Sequence, residues 1–281
     1  MMAVSSKIAK RTATVPEQAR LVLDAQALDA LTARVLEHFE LHQPEPASFP
    51  AMASRVIDLA EHPDVDINRL AHLIGRDPAI CASVLAVANS ALNRRADAVE
   101  DIRTALSLLG LKRVANIAVG VACRTLFDVE LRVEQELFGN WWARLFHSAM
   151  TEAFTIAFVT MERHRSVSES IFLAGMLHYI GKSLALRSLA ALIIGGEGGG
   201  VPRDEAIESI LGRTRVAIGV TALTTFNMPE HLIDLCRHQD DDPLPPTKQW
   251  TDLHYVRIVS ALNEIRMEGT DTEPQLRGLR N

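Results

Sequence analysis

Apolar residues recur at helical spacing along most of this chain, and the pattern predicts a succession of helices. In residues 17–40 they fall on one face of a single amphipathic helix, at Leu21, Leu28, Leu31, Val35 and Phe39. No stretch alternates apolar and polar residues with a period of two between hairpin turns, as half-buried strands do. The pattern therefore predicts an all-α fold.

Capping residues set the helix boundaries expected in the first half. Asp66 is a plausible N-cap for residues 67–74, and Gly75 stands where a helix would end. Asp77 followed by Pro78 predicts the start of the next helix, and Asp101 predicts another. The predicted helices after Gly75 are 78–89, 102–109, ended by Gly110, and 111–127.

The second half is also predicted to be helical, with breaks at glycine-rich and proline-rich segments. Ser168 is the expected cap of 171–179, where an Ile-Gly-Lys sequence is expected to end the helix, and Pro229 begins another helix. The other predicted helices are 138–161, 184–194, 204–211, 213–226 and 251–267. We expect an N-terminal extension over 1–45, a central domain over 46–245 and a C-terminal helix and tail over 246–281, with two packed helical lobes.

Composition excludes some classes of function. The chain has 281 residues, 48% of them hydrophobic, and a net charge of −6, so no overall basic field attracts nucleic acid or an anionic membrane. Three scattered cysteines, Cys81, Cys123 and Cys236, fit reduced core thiols. Residues 1–20 lack the apolar core of a secretory signal, and no apolar run approaches the roughly 18 residues that span a bilayer. We expect a cytoplasmic protein without a membrane contact.

Residues 68–89 form two predicted helices joined by a short turn, an arrangement found in DNA-binding helix-turn-helix motifs. A recognition helix needs Arg, Lys, Asn or Gln near its start to reach base edges. This second helix begins Pro78-Ala79-Ile80-Cys81-Ala82-Ser83-Val84. Core packing is the favoured interpretation, and DNA binding through 68–89 is the third of three functional alternatives.

Several motifs in order resemble the HDOD domain, a divergent and generally non-catalytic relative of the HD phosphohydrolases in bacterial signalling proteins. The resemblance covers about residues 46–245 and rests on several segments: Phe49 to Val56, Arg76 to Ala79, Leu85 to Ser90, Ala105 to Val114, Trp142 to Ser148, Phe172 to Lys182, and Met228 to Glu230. It implies an HD-like helical bundle, here with an extra N-terminal helix.

The resemblance also locates the metal-binding positions of the HD enzymes. It implies that His147 and His178 correspond to the first two histidines of that site. The aspartate expected after His178 is Tyr179. A neutral phenol cannot replace a bridging carboxylate.

The remaining implied ligand positions are also altered. A family histidine falls on Arg215, whose fixed positive charge repels a metal ion. A later pair of histidines falls on Gln239 and Asp240, and a metal-binding aspartate falls on Asn263. We therefore predict no catalytic residue, no bound metal and no cofactor, and treat His147, His178, Tyr179, Arg215 and Asn263 as vestigial positions.

The residues at these positions also have plain structural interpretations. His147 and His178 are expected to be buried and hydrogen-bonded between helices, and Lys182 to cap a helix end or form a salt bridge there. Trp141 and Trp142, at helical spacing with other apolar residues, are expected in the core.

The resemblance implies a regulatory protein that binds other signalling proteins, acting as a free-standing adaptor. The N-terminal helix would add specificity by packing on the domain or on a second copy of the chain, so a homodimer is one expected partner arrangement. The leading alternative is a metal-dependent phosphohydrolase acting on a nucleotide or cyclic dinucleotide.

Overall fold

The computed structural model describes residues 20–44, 52–53, 55–56, 59, 67–90, 98–127, 131–163, 171–241 and 251–268. Within these ranges the chain is helical, and its one β-type pairing is an isolated parallel bridge between Leu21 and Pro202. The all-α prediction is confirmed. The helices are α1 Ala25–Leu41, α2 Ile67–Ile74, α3 Pro78–Ala88, α4 Ile102–Leu109, α5 Leu111–Ala122, α6 Arg132–Arg163, α7 Ile171–Leu177, α8 Ile180–Ile194, α9 Asp204–Thr225, α10 Glu230–Arg237 and α11 Asp252–Glu268, with a short 3-10 helix at Cys123–Phe127.

Aspartate caps begin three of these helices. Asp77 accepts from the N–H groups of Ala79 and Ile80 at 2.9 and 3.1 Å, and Pro78 occupies the first helical turn. Asp101 caps α4 in the same manner. Both caps were predicted, because aspartate supplies the acceptor that the first N–H groups of a helix need.

The first helix begins later than predicted. Asp24 caps α1 by accepting from Ala27 N–H at 2.8 Å, so the helix starts at Ala25 and not at residue 17. Leu21 is in extended backbone instead, where its N–H donates to Val201 O at 2.9 Å and its carbonyl accepts from Arg203 N–H at 3.0 Å. The helical spacing of Leu21 was misleading because a distant backbone segment binds it.

Four other boundaries differ from the sequence prediction. Gly181 does not end a helix, since α8 begins at Ile180 and includes it. Gly212 lies inside α9, which is one helix where two were predicted. The helix predicted over 111–127 ends at Ala122 and continues as the 3-10 helix, and α6 extends beyond 138–161 at both ends. The predicted caps Asp66 and Ser168, and the break after Asp241, lie outside the described residues.

The described helices belong to two compact units, and each draws on separated parts of the sequence. The first unit comprises 1–44, 127–149 and 178–242, and the second comprises 45–126, 150–177 and 243–281. In the first unit, α1 packs against α8 and α9 through buried Leu31, Val35 and Phe39. The N-terminal helix therefore packs on the chain itself.

Polar contacts also attach the N-terminal segment to the first unit. Arg20 forms an ion pair with Asp204, which also accepts from the indole Nε1–H of Trp141 at 2.9 Å. Arg213 donates to Asp29 at 2.6 Å. Trp141 and Trp142 are buried, as predicted.

A close crossing of α8 and α9 forms the centre of the first unit. A Cβ atom added at Gly181 would lie 1.8 Å from the carbonyl oxygen of Arg215. At Gly219 an added Cβ would lie 2.6 Å from Cys236 Sγ on α10. Both positions are glycine because the neighbouring backbone and side chain occupy the space that a side chain needs.

In the second unit, α3 packs against α4 and α5, while α7 packs against α5 and α11. The side-chain amide of Asn89 joins two separated segments here. Its Nδ2 donates to Val99 O and its Oδ1 accepts from Val99 N–H, both at 2.8 Å. The amide thus makes the pair of bonds that an adjacent strand residue would make.

Among the described residues, one segment is long and apolar enough to cross a membrane by length and composition. Ile171–Ile194 spans 24 residues, and its most apolar window has a mean hydropathy of 1.3, so the expectation of no run near bilayer length was wrong for this segment. Two bent pairs, α2 with α3 and α4 with α5, pass the same test only as broken spans. Protein buries 72% of the window in 171–194. Its apolar character is therefore accounted for by core packing.

Candidate functional site

The break between α7 and α8 holds His178 and Tyr179. His178 is 6% exposed and Tyr179 is 7% exposed, and their rings meet edge to face with centroids 4.5 Å apart. The ammonium group of Lys182 lies 5.2 Å from the centre of the Tyr179 ring. The predicted burial of His178 is correct. Lys182 lies in the first turn of α8, because the helix that it was expected to end stops at Leu177 and α8 begins at Ile180.

His147 lies on α6 in the same unit, and its side chain is exposed. The prediction that it is buried between helices is wrong. Trp141, Trp142, Leu145 and Ala149 are buried in this part of α6. Because these residues lie on one face at helical spacing, His147 falls on the face directed to solvent.

Arg215, on α9, forms a two-point ion pair with Asp240, just beyond α10. Its Nε donates to Oδ2 at 3.1 Å and its Nη2 donates to Oδ1. Bidentate pairs of this kind hold both side chains in a fixed geometry. Two positions at which the resemblance implies histidines therefore hold an arginine and an aspartate that bind each other.

The packing of α8 on α9 brings the backbone of Arg215 close to the break between α7 and α8 that holds His178. Gly181 lies three residues after His178 and faces the Arg215 carbonyl directly. The glycine in the Ile-Gly-Lys sequence thus serves helix packing.

Gln239 and the neighbouring His238 contact other residues. Gln239 is buried, and its amide Nε2 lies 3.5 Å from Cys236 Sγ. His238 contacts Asp241 through Nδ1 at 2.6 Å. Asn263 lies on α11, which belongs to the second unit, and its side chain is outside the described residues.

These residues do not fit a metal centre of the HD type. Over the part of the chain that the structure describes, no three His, Cys, Asp or Glu side chains converge in a geometry that could hold a metal ion. Such a centre needs several imidazole and carboxylate ligands around an open position. At the corresponding positions here are a buried phenol ring and a guanidinium that is already paired with a carboxylate.

Cys236, which the sequence predicted only as a reduced core thiol, also lies in this region. Its thiol is fully buried between α9 and α10, and burial, followed by the nearby charge of Asp240, raises its pKa to about 12. The thiol is therefore neutral and unreactive near pH 7. The sequence shows that Arg215 and Asp240 carry opposite charges. Whether they pair depends on how α9 and α10 pack.

The possible recognition helix, α3, presents little that could read DNA. Its buried face carries Ile80, Val84 and Ala88, and the helix packs against α4 and α5 within the second unit. Its exposed positions include Ala79, Ala82 and Ala86. Methyl groups offer no hydrogen bonds to base edges, so this surface supports the core-packing interpretation.

Comparison with known proteins gives a consistent fold. The model of the HDOD domain family matches residues 47–242. A solved structure of a proposed metal-dependent phosphohydrolase from Shewanella amazonensis SB2B is similar, with a TM-score of 0.69 and 22% identity over 90% of this chain and 89% of that one. An HDOD domain protein from Geobacter sulfurreducens has a TM-score of 0.62 and 21% identity, over 85% of this chain and 80% of that one.

A proposed signal transduction protein from Marinobacter aquaeolei VT8 is also similar, with a TM-score of 0.53 and 21% identity. That match covers 90% of this chain and 61% of the Marinobacter chain. At these identities the likenesses show the fold alone. A comparison with curated proteins finds no significant match.

Proposed function

This chain belongs to the HDOD domain family, and from that premise we propose that it is a non-catalytic regulatory module that binds other signalling proteins. The sequence resemblance to the family is confirmed by the match over 47–242. The proposal concerns what the module does, and it rests on the residues at the HD-type positions.

The observation that carries the proposal is the ion pair between Arg215 and Asp240. An HD enzyme uses neutral imidazoles and carboxylates to hold its metal. The Arg215 guanidinium is always charged and has no lone pair to donate to a metal ion. It already binds both carboxylate oxygens of Asp240. With Tyr179 buried beside His178, the region supports a structural role and not hydrolysis.

The regulatory part of the proposal draws on the family and on one structural neighbour. The Marinobacter protein is described as a proposed signal transduction protein, and the fold is shared. We place the module in the cytoplasm, where its reduced cysteines are stable. We propose another signalling protein as its partner, with a second copy of the chain as the alternative.

The phosphohydrolase alternative has one specific support. The Shewanella neighbour is described as a proposed metal-dependent phosphohydrolase, and His147 and His178 are retained here. Two imidazoles alone make a weak site of the transition-metal type.

The deciding experiment measures metal content and hydrolysis on protein purified without a polyhistidine tag. We expect less than one equivalent of Fe, Mn or Zn whose binding depends on His178. With added Mn²⁺, we expect no hydrolysis of nucleotides or cyclic dinucleotides above that of a buffer blank. Stoichiometric metal, together with phosphodiesterase activity that His178→Gln abolishes, would overturn the proposal.

Binding is tested separately from hydrolysis. The proteins that the full chain retains from native cytoplasm are identified. Each is then purified and mixed with the full chain. A defined one-to-one complex supports the proposal, and the lack of any reconstituted complex, including a homodimer, contradicts it. Salt-sensitive binding to duplex DNA, lost on changing Arg69 and Arg76 to Ala, would instead favour the third alternative.

A further inference from the structure

Two histidines stand one helical turn apart at the C-terminal end of α1. His38 is in the last turn and His42 is the residue at the C-cap. Their rings stack with centroids 4.3 Å apart and an angle of 22° between planes. Residues separated by four positions share one face of a helix, so rotation of the two side chains out of this stacked arrangement lets both imidazoles reach a common atom.

The hydrogen bond of His42 determines which of its nitrogens is available. Its Nδ1 lies 3.0 Å from the carbonyl oxygen of His38. A carbonyl only accepts, so the neutral ring donates Nδ1–H to it and carries its lone pair on Nε2. Metal-binding histidines are commonly oriented in this manner, by donating their other ring N–H to a backbone carbonyl.

The second imidazole of the pair, His38, is partly buried and incompletely hydrogen-bonded. Burial lowers its pKa, and the neighbouring His42 lowers it further, while the Glu197 carboxylate acts in the opposite direction. Its Nδ1 is buried and has no hydrogen-bond partner. An imidazole that is partly desolvated and incompletely hydrogen-bonded is a suitable ligand for a transition-metal ion.

The surrounding charges favour a cation. The carbonyl groups at the C-terminal end of α1 give that end a partial negative charge. Glu197 adds a full negative charge nearby. The cation on the same helix face, Arg34, is engaged with Glu197, since it donates to the carboxylate and, at 2.5 Å, to the backbone carbonyl.

We propose that His38 and His42 together bind one divalent transition-metal ion of the Cu²⁺, Ni²⁺ or Zn²⁺ class, with water completing its coordination. The ion links the last turn of α1 to its C-cap and so stabilises the helix that packs on α8 and α9. This site lies outside the residues matched by the family model, and it does not depend on the proposed function.

The test is calorimetric titration of Ni²⁺, Zn²⁺ and Cu²⁺ into the full untagged chain after treatment with chelator. One equivalent should bind, with Cu²⁺ bound more tightly than Ni²⁺ or Zn²⁺. His38→Gln and His42→Gln should each weaken binding by about tenfold or more and remove the metal-dependent rise in Tm. Binding should weaken as pH falls, because protons compete for both imidazoles.

His72→Gln is the matched control, because His72 is exposed on α2 and has no imidazole four residues away. It should leave both the affinity and the metal-dependent Tm unchanged. His42→Gln is the decisive variant, since His42 is exposed and its loss should leave the metal-free Tm unaltered. Unchanged affinity in His42→Gln, or an equal loss in His72→Gln, would overturn the proposal and indicate nonspecific binding.

Discussion

Arg215 and Asp240 are 25 residues apart in the sequence and hold each other at two points, with Nε donating to Oδ2 over 3.1 Å and Nη2 donating to Oδ1. The pair ties α9 to the residues that follow α10. Its side chains are 22% and 40% exposed, so solvent screens part of their attraction.

A double-mutant cycle measures what this pair contributes. Arg215→Gln, Asp240→Asn and the double variant are compared by urea unfolding. We expect a coupling of about 0.5–1 kcal/mol in the free energy of unfolding, because a partly exposed pair in bidentate geometry is stronger than a simple surface pair. If the two single effects simply add up, the pair does not stabilise the fold, and the structural role proposed for Arg215 is wrong.

The crossing of α8 and α9 predicts opposite effects for two glycines inside helices. Gly181→Ala should destabilise the protein severely, by more than about 3 kcal/mol, because the new methyl group would meet the Arg215 carbonyl at 1.8 Å. Gly212→Ala should stabilise it by up to about 1 kcal/mol, since alanine is the better helix former and that position is open.

Thermal or urea unfolding of the two variants checks this pair of predictions. Equal changes in Tm would mean that helix propensity and not the crossing determines both effects. A stable Gly181→Ala protein would require α8 to lie farther from α9.

Because α1 packs against α8 and α9, we expect its buried side chains to contribute to the stability of the first unit. Phe39→Ala should lower the free energy of unfolding by about 3–5 kcal/mol, because the ring is 4% exposed and its removal leaves a cavity. Leu41→Ala, two residues later on the same helix, should have little effect, because Leu41 is 73% exposed. Unfolding curves that coincide for the two variants would show that α1 is not packed in solution.

Two buried thiols predict a loss of stability in alkali. Burial raises the pKa of Cys123 to about 12, and burial with the charge of Asp240 raises that of Cys236 to about 12, from an ordinary value of 9.0. Above pH 9 the unfolded chain releases thiol protons that the folded chain retains. The free energy of unfolding should therefore fall between pH 9 and 12, by up to about 1.4 kcal/mol per pH unit for each thiol.

Urea unfolding of wild type and Cys236→Ala at pH 8 and pH 10 isolates one thiol. The variant should lose less stability than wild type over this interval, whatever its stability at pH 8. The same decrease in both proteins would show that Cys236 ionises as readily in the folded chain as in the unfolded one.

Sequence alone determined the features that depend on neighbours along the chain. Asp77 with Pro78, and Asp101 before α4, predicted helix starts because a cap needs only the next few N–H groups. The helical spacing of Leu31, Val35 and Phe39 likewise predicted the buried face of α1. The all-α fold class followed from such local signals, and the family followed from several local motifs that occur in the expected order along the chain.

Tertiary structure decided the features that depend on distant neighbours. Gly181 and Gly212 have the same local preference to interrupt a helix, yet each lies inside one, and only Gly181 is required by a crossing backbone. Leu21 leaves its helical pattern because Val201 and Arg203 bind its backbone. Arg215 and Asp240 were two altered positions in the sequence, and they became one ion pair only because α9 and α10 pack together.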